Sequence, residues 1–149
     1  MSVETRKHIH QEEFPVPAED LFALLHTPSA ICGWWGASSA IVIPRKDGIW
    51  AAAWGEDPDA PDYVSAFTIA EFDPPQKMLL TDGRYTAKSG KLPFEAKMTT
   101  EFIVTPSPGG STLKVVQDGF PTDPIADDFY LACETGWKNT FAGIRKYLS

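Results

Sequence analysis

The last stretch of the chain, Asp127 to Ser149, constrains the fold more than any other. Its apolar side chains fall at Phe129, Cys133, Trp137, Phe141, Ile144 and Leu148. Those intervals of three and four stack them on one face of an α-helix. The opposite face carries Asp127, Asp128, Glu134, Lys138, Asn139, Arg145 and Lys146. Acids come first and bases last, the order a helix dipole favours. Gly136 and Gly143 each cost roughly 1 kcal/mol of helix propensity against alanine. Gly136, beside the Trp137 indole, reads as a point where the backbone approaches a neighbour closely. A rod of about 34 Å with one aromatic-rich face needs a broad apolar surface to lie on.

The rest of the chain supplies short strands for such a surface. With 149 residues, one domain spanning 1–149 can bury a substantial core. Thirteen prolines and eleven glycines punctuate apolar runs, which implies many short elements. The net charge of −7 argues against nucleic acid and anionic membranes as partners, since both need clustered Lys and Arg. Cys32 and Cys133 lie far apart and outside any metal-like spacing, so both are expected to be reduced and packed. The segment Met1–Arg6 has no apolar signal run, and no stretch is long enough to cross a bilayer, so a cytoplasmic protein is the default expectation.

Taken in order, Arg6 to Glu13 reads as a strand, with His8 and His10 on a solvent face and Ile9 opposite. Pro17-Ala18-Glu19-Asp20 opens a helix. Pro28 to Ile31 forms a second short one, closed by Gly33. Strands follow at Ser38–Pro44 and Ile49–Trp54, joined by the hairpin chemistry of Asp47-Gly48. Trp50 and Trp54 share a face. Glu56 to Asp62 packs four acids and two prolines. It reads as a solvated loop rather than a calcium site, because the glycine and closing glutamate of a hand-type loop are missing. Tyr63–Phe72 and Lys77–Thr81 are strands, Asp82-Gly83 is a turn, and Tyr85–Pro93 is a polar loop. Phe94 to Thr105 alternates as a half-buried strand. Ser111 to Asp118 is the last strand, with Leu113, Val115 and Gln117 on one face. Gly119 to Pro124 connects it to the helix. Consecutive hairpins imply an antiparallel meander, and only the terminal helix is long enough to cover one of its faces.

Several local patterns, in this order, resemble one family. They are Val16-Pro17-Ala18-Glu19-Asp20-Leu21-Phe22, Ile31-Cys32-Gly33-Trp34-Trp35 and Gly48-Ile49-Trp50. They continue with Asp73-Pro74-Pro75 before Leu80-Thr81, Gly110-Ser111-Thr112-Leu113, Gly119-Phe120 and Gly136-Trp137. Together they resemble the activator of Hsp90 ATPase homologues within the START/Bet v 1-like (SRPBCC) superfamily. Asp82 stands where that family usually has tryptophan. The resemblance implies an α+β helix-grip fold: a curved antiparallel sheet of about seven strands gripping a long C-terminal helix, with two short helices after the first strand. It also implies a possible Hsp90-type chaperone partner, or a cyclase or hydratase activity as in some of the superfamily. No fixed catalytic set transfers to this chain.

The residues themselves point to a cavity. A curved sheet and a straight helix cannot touch along their whole length, so large side chains either fill the gap or line it. Trp34, Trp35, Trp50, Trp54, Phe67, Met98, Phe102, Phe129, Cys133 and Trp137 are the candidate wall. Thr100, Gln117 and Tyr130 are the candidate polar anchors, and buried indole N–H groups could also bind a ligand oxygen. Cys133, on an apolar face, is expected to be unreactive. Glu101 alternates outward and Glu71 is ambiguous. No histidine pairs with a serine or cysteine nucleophile, and none has metal-ligand spacing. The expectation is a binding module for a small hydrophobic ligand, aromatic or acyl, without metal or other cofactor, as a monomer or homodimer.

Overall fold

The computed structural model describes residues 4–57, 59–91, 94 and 96–149, with Lys91 described by its backbone alone. Expectations placed on Met1–Val3, Pro58, Leu92, Pro93 and Glu95 lie outside the described residues. Strand β1 (Thr5–Phe14) leads into helices α1 (Ala18–Leu24) and α2 (Pro28–Trp35). Strands β2 (Ser39–Val42), β3 (Ile49–Trp54), β4 (Tyr63–Asp73), β5 (Lys77–Ala87), β6 (Gly90–Lys91), β7 (Thr99–Ser107) and β8 (Gly110–Pro121) follow. A single 3-10 turn, Pro124–Ala126, then enters α3 (Asp127–Leu148). The antiparallel sheet has the order β1-β8-β7-β5-β4-β3-β2, with β6 paired to β5. It is curved, and α3 lies against it: this is a helix-grip fold.

The curvature has a local cause. Ala66 pairs with Arg84 and Thr68 with Thr81, so Asp82 and Gly83 together face the single residue Phe67. That is a β-bulge, and a bulge bends its strand. Asp82 carries the positive φ, 53°. The Asp-Gly pair expected to turn the chain is therefore absorbed inside β5, and Tyr85–Ala87 continues the strand rather than forming a loop. A second register shift between Ile69 and Glu71 puts Glu71 outside, where Lys77 bridges it to Glu101 at 3.0 and 3.2 Å.

Three further boundaries differ from the sequence reading. Helix α2 runs through Gly33 and ends at Gly36, whose φ of 72° suits glycine, so the Trp34-Trp35 pair lies within the helix. Gly33 serves packing instead: a Cβ there would come within 2.5 Å of the Tyr147 ring. Strand β7 starts at Thr99, not Phe94, and β8 runs on through Phe120, which is fully buried.

The facing of His8 and His10 differs too. They lie on the inner face of β1, and Ile9 is 53 % exposed on the outer one. Polar residues alternate outward only where the inner face offers no partner. Here His8 Nε2 lies 2.7 Å from the Tyr130 carbonyl oxygen, and its ring stacks on that tyrosine at 3.8 Å.

The core joins the inner faces of sheet and helices through Phe14, Leu21, Ile31, Trp50, Ile69, Leu80, Phe102, Leu113 and Ile144. Among the described residues, no helix is long and apolar enough to cross a membrane.

Candidate functional site

Helix α3 meets the rest of the molecule in two ways. Its C-terminal half buries Phe141 and Ile144, and Phe141 packs edge-on to Phe14. A Cβ at Gly143 would overlap the Trp34 carbonyl oxygen, so this is the glycine that permits close approach. Gly136 does the reverse of what was expected, since nothing lies within 4 Å of a Cβ placed there. The helix stands off the sheet at that point, over a cavity of about 510 Å³.

Each element contributes to the wall by alternation or helical spacing. Helix α2 supplies Trp35, β3 Trp50 and Trp54, and β4 Tyr63, Ser65 and Phe67. Strand β5 supplies Leu80, then Gly83 and Tyr85 beyond the bulge. Met98 precedes Thr100 and Phe102 of β7, and β8 gives Gln117. Helix α3 closes the space with Phe129, Ala132, Cys133, Gly136, Trp137 and Thr140. Arg84, exposed, borders it at the position of β5 that alternates away from Gly83 and Tyr85. A Cβ on Gly83 would sit 2.5 Å from Phe67 Cε1, so the glycine makes room for that ring on the wall.

Trp35 is the hub of the aromatic lining. Its ring lies 5.7 Å from Trp50, 5.4 Å from Trp54 and 5.6 Å from Trp137. The series continues through Trp54 stacked on Tyr63 at 5.0 Å, then Tyr85 and Phe129. Edge-to-face and offset pairs of this kind hold rings in place beyond their area burial.

The indole N–H groups are mostly committed to the protein. Trp34 donates to the Leu24 carbonyl, Trp50 to Leu25 and Trp54 to Trp35, at 2.9, 2.9 and 3.2 Å. Trp137 donates to Gln117 Oε1 at 2.8 Å. Tryptophan here builds walls more than it offers donors. Burial raises the Tyr63 and Tyr85 phenols above their usual range and pushes the Cys133 thiol up to about 11. Deprotonated oxygen or sulfur is thus disfavoured at all three positions.

Of the residues singled out from sequence, Trp35, Trp50, Trp54, Phe67, Met98, Thr100, Phe102, Gln117, Phe129, Cys133 and Trp137 come together on this one wall. Trp34 and Tyr130 do not. Trp34 is stacked behind Trp35 at 4.8 Å and buried. Tyr130 faces β1, donates to the Lys7 carbonyl at 3.0 Å and lies under the Arg6 guanidinium. Its neighbour Phe129 turns to the cavity instead, because residues one step apart on a helix face different ways. Tyr63, Ser65, Leu80, Gly83, Arg84, Tyr85, Ala132 and Thr140 were not singled out, and Gly136 was read as a close approach rather than as part of the wall. Tyr63 and Ser65 were recoverable, being four and two residues before Phe67 on one strand.

A family described as Activator of Hsp90 ATPase homolog 1-like protein matches residues 15–149. The chain belongs to this family. Solved structures share its fold at low identity. A Mesorhizobium loti protein, MLL2253, is 20 % identical with a TM-score of 0.77, over 96 % of each chain. A Rhizobium leguminosarum protein is 16 % identical with a TM-score of 0.78, over 99 % of this chain and 96 % of its own. CalU16 from Micromonospora echinospora is 12 % identical with a TM-score of 0.69, over 97 % of this chain and 77 % of its own. Among curated proteins, none matches the chain. These structures thus share a scaffold with the chain, and a shared scaffold does not carry a shared activity.

Proposed function

We propose that this chain is a binding module for a small, uncharged, largely aromatic or acyl molecule held between α3 and the curved sheet. One observation carries the reading. A cavity of about 510 Å³ between α3 and the sheet is walled largely by aromatic rings. Spaces of a few hundred Å³ with apolar walls and a few polar groups are the usual form of a small-molecule site. Arg84 borders the cavity from an exposed position, so a charged ligand group buried against the aromatic wall away from it would lack a counter-charge, which is costly. Ring stacking on Trp35, Trp54 and Phe129 would select flat or slender molecules.

Catalysis of the cyclase or hydratase kind would need an acid or base near neutrality in the cavity. The phenols of Tyr63 and Tyr85 and the thiol of Cys133 are all displaced away from it. A chaperone partner is suggested by the family's description alone.

The test is a panel of lipophilic compounds read by thermal shift and native mass spectrometry. Binders raise the melting temperature by mass action. Gly136→Leu should fill the cavity from the helix side, because the added side chain meets open space. It should abolish the shift while leaving the protein folded. A panel that never stabilises the wild type, or a Gly136→Leu variant that binds as before, would refute the reading.

A further inference from the structure

The polar contacts between Trp137, Gln117 and Thr100 on the cavity wall have a direction. An indole N–H can only donate. Trp137 Nε1 lies 2.8 Å from one end of the Gln117 amide, so that end must be the oxygen, Oε1. The nitrogen therefore faces the other way. It points at Thr100 Oγ1, 3.5 Å away, directly across the β7–β8 register. Thr100 is 4 % exposed and lies on the cavity wall, as does Gln117.

Counting hydrogens gives the consequence. The Gln117 amide nitrogen carries two, and at most one is used on Thr100. Thr100 receives that long bond, and its own hydroxyl hydrogen has no acceptor among the described residues. Thr140, on the same wall, has already spent its hydroxyl hydrogen on the Gly136 carbonyl at 2.8 Å. Trp35 Nε1 also makes no hydrogen bond among the described residues, although the other four indoles do. The unspent hydrogens at this wall are therefore the Thr100 O–H, one Gln117 N–H and the Trp35 N–H, while the Thr140 oxygen can only accept.

We infer that the cavity selects molecules that lead with a carbonyl-type acceptor, such as a flat aryl ketone, buried against Gln117 and Thr100. This rests on the cavity being a ligand site, and it adds which end of the ligand enters and with what chemistry. A buried donor left without an acceptor loses its bond to water and gains nothing. A hydrocarbon of the same outline imposes that loss; a ketone removes it.

The test uses two molecules with one skeleton, α-tetralone and tetralin, titrated against the full chain and followed by tryptophan fluorescence. The wild type should bind α-tetralone about tenfold more tightly than tetralin, the size of one net hydrogen bond. Thr100→Val keeps the shape and removes the hydroxyl. It should erase most of that preference by weakening α-tetralone and tightening tetralin, which no longer strands a donor. Thr100→Ser should restore it. If tetralin binds the wild type as well as α-tetralone does, the inference fails while the cavity reading stands. If Thr100→Val keeps the full preference, the assignment to Thr100 fails. If neither molecule binds at its solubility limit, the cavity reading falls and takes this inference with it.

Discussion

The two halves of α3 have the same hydrophobic spacing and different surroundings. The C-terminal half, with Phe141, Ile144 and Gly143, is pressed against α2 and β1. The N-terminal half, with Phe129, Cys133, Gly136 and Trp137, roofs a cavity. Equal periodicity therefore states that a face is inward, and leaves open whether it meets side chains or space. What separates the halves is the sheet beneath. The Asp82–Gly83 bulge carries β5 away under the first half, and the Trp34 carbonyl holds the second.

The largest expected contrast is in side-chain truncation. Ile144→Ala should cost about 2–5 kcal/mol, because a fully buried aliphatic group leaves a void. Phe129→Ala, at a half-buried position bordering the cavity, should cost much less and weaken ligand binding instead. Chemical denaturation of both variants gives the two numbers from the shift in midpoint at constant slope. Equal losses would erase the distinction between the halves.

The glycines should differ in sign. Gly143→Ala gains about 1 kcal/mol of helix propensity but overpacks the Trp34 carbonyl, with a penalty of roughly 1–3 kcal/mol. A net loss is expected. Gly136→Ala has the same gain and no clash, so it should stabilise by up to about 1 kcal/mol. Thermal melts of the two variants beside wild type test the pair.

A smaller contrast lies in pH dependence. Burial lowers the His10 pKa below its usual 6.5; His8 adds to this, Glu134 on α3 opposes it and Lys138 lowers it further. Burial likewise lowers His26, at the end of α1 beside Phe22 and Phe72. For a base depressed in the folded state, the unfolded chain binds more protons just below pH 6.5. Stability should fall as pH drops through the window between 6.5 and the lower folded values, then level off. His10→Gln and His26→Gln should each flatten part of that slope in melts recorded across the window, dividing it between the two regions. A slope of opposite sign would show that the imidazoles gain rather than lose protons on folding.

The fold was legible because its signals are local and repeated. The helix register from Phe129 to Leu148, the Trp50–Trp54 face and the Leu113–Gln117 alternation each needed no partner to be read. The site was only partly legible, for a specific reason. Met78 and Leu80 point inward on β5, and strict alternation would continue at Asp82 and Arg84. The bulge moves the inward positions to Gly83 and Tyr85, a change of phase that depends on Phe67 across the ladder. His8 was misplaced for a similar reason, since its partner is a carbonyl in the first turn of α3, far along the chain. Which indoles would keep a free N–H was likewise beyond sequence, because three of the acceptors are backbone oxygens at the ends of α1 and α2 and the fourth is the Gln117 side chain.

The central claim is that a ligand-accessible space lies under one half of α3 and not the other. The tryptophan indole N–H resonances report on it directly. Titration of nitrogen-15-labelled protein with naphthalene should move the Trp35, Trp54 and Trp137 signals and leave Trp34, stacked behind Trp35 and bonded to Leu24, in place. A titration in which Trp34 moves with the others, or in which no indole moves while the protein remains folded, would contradict it.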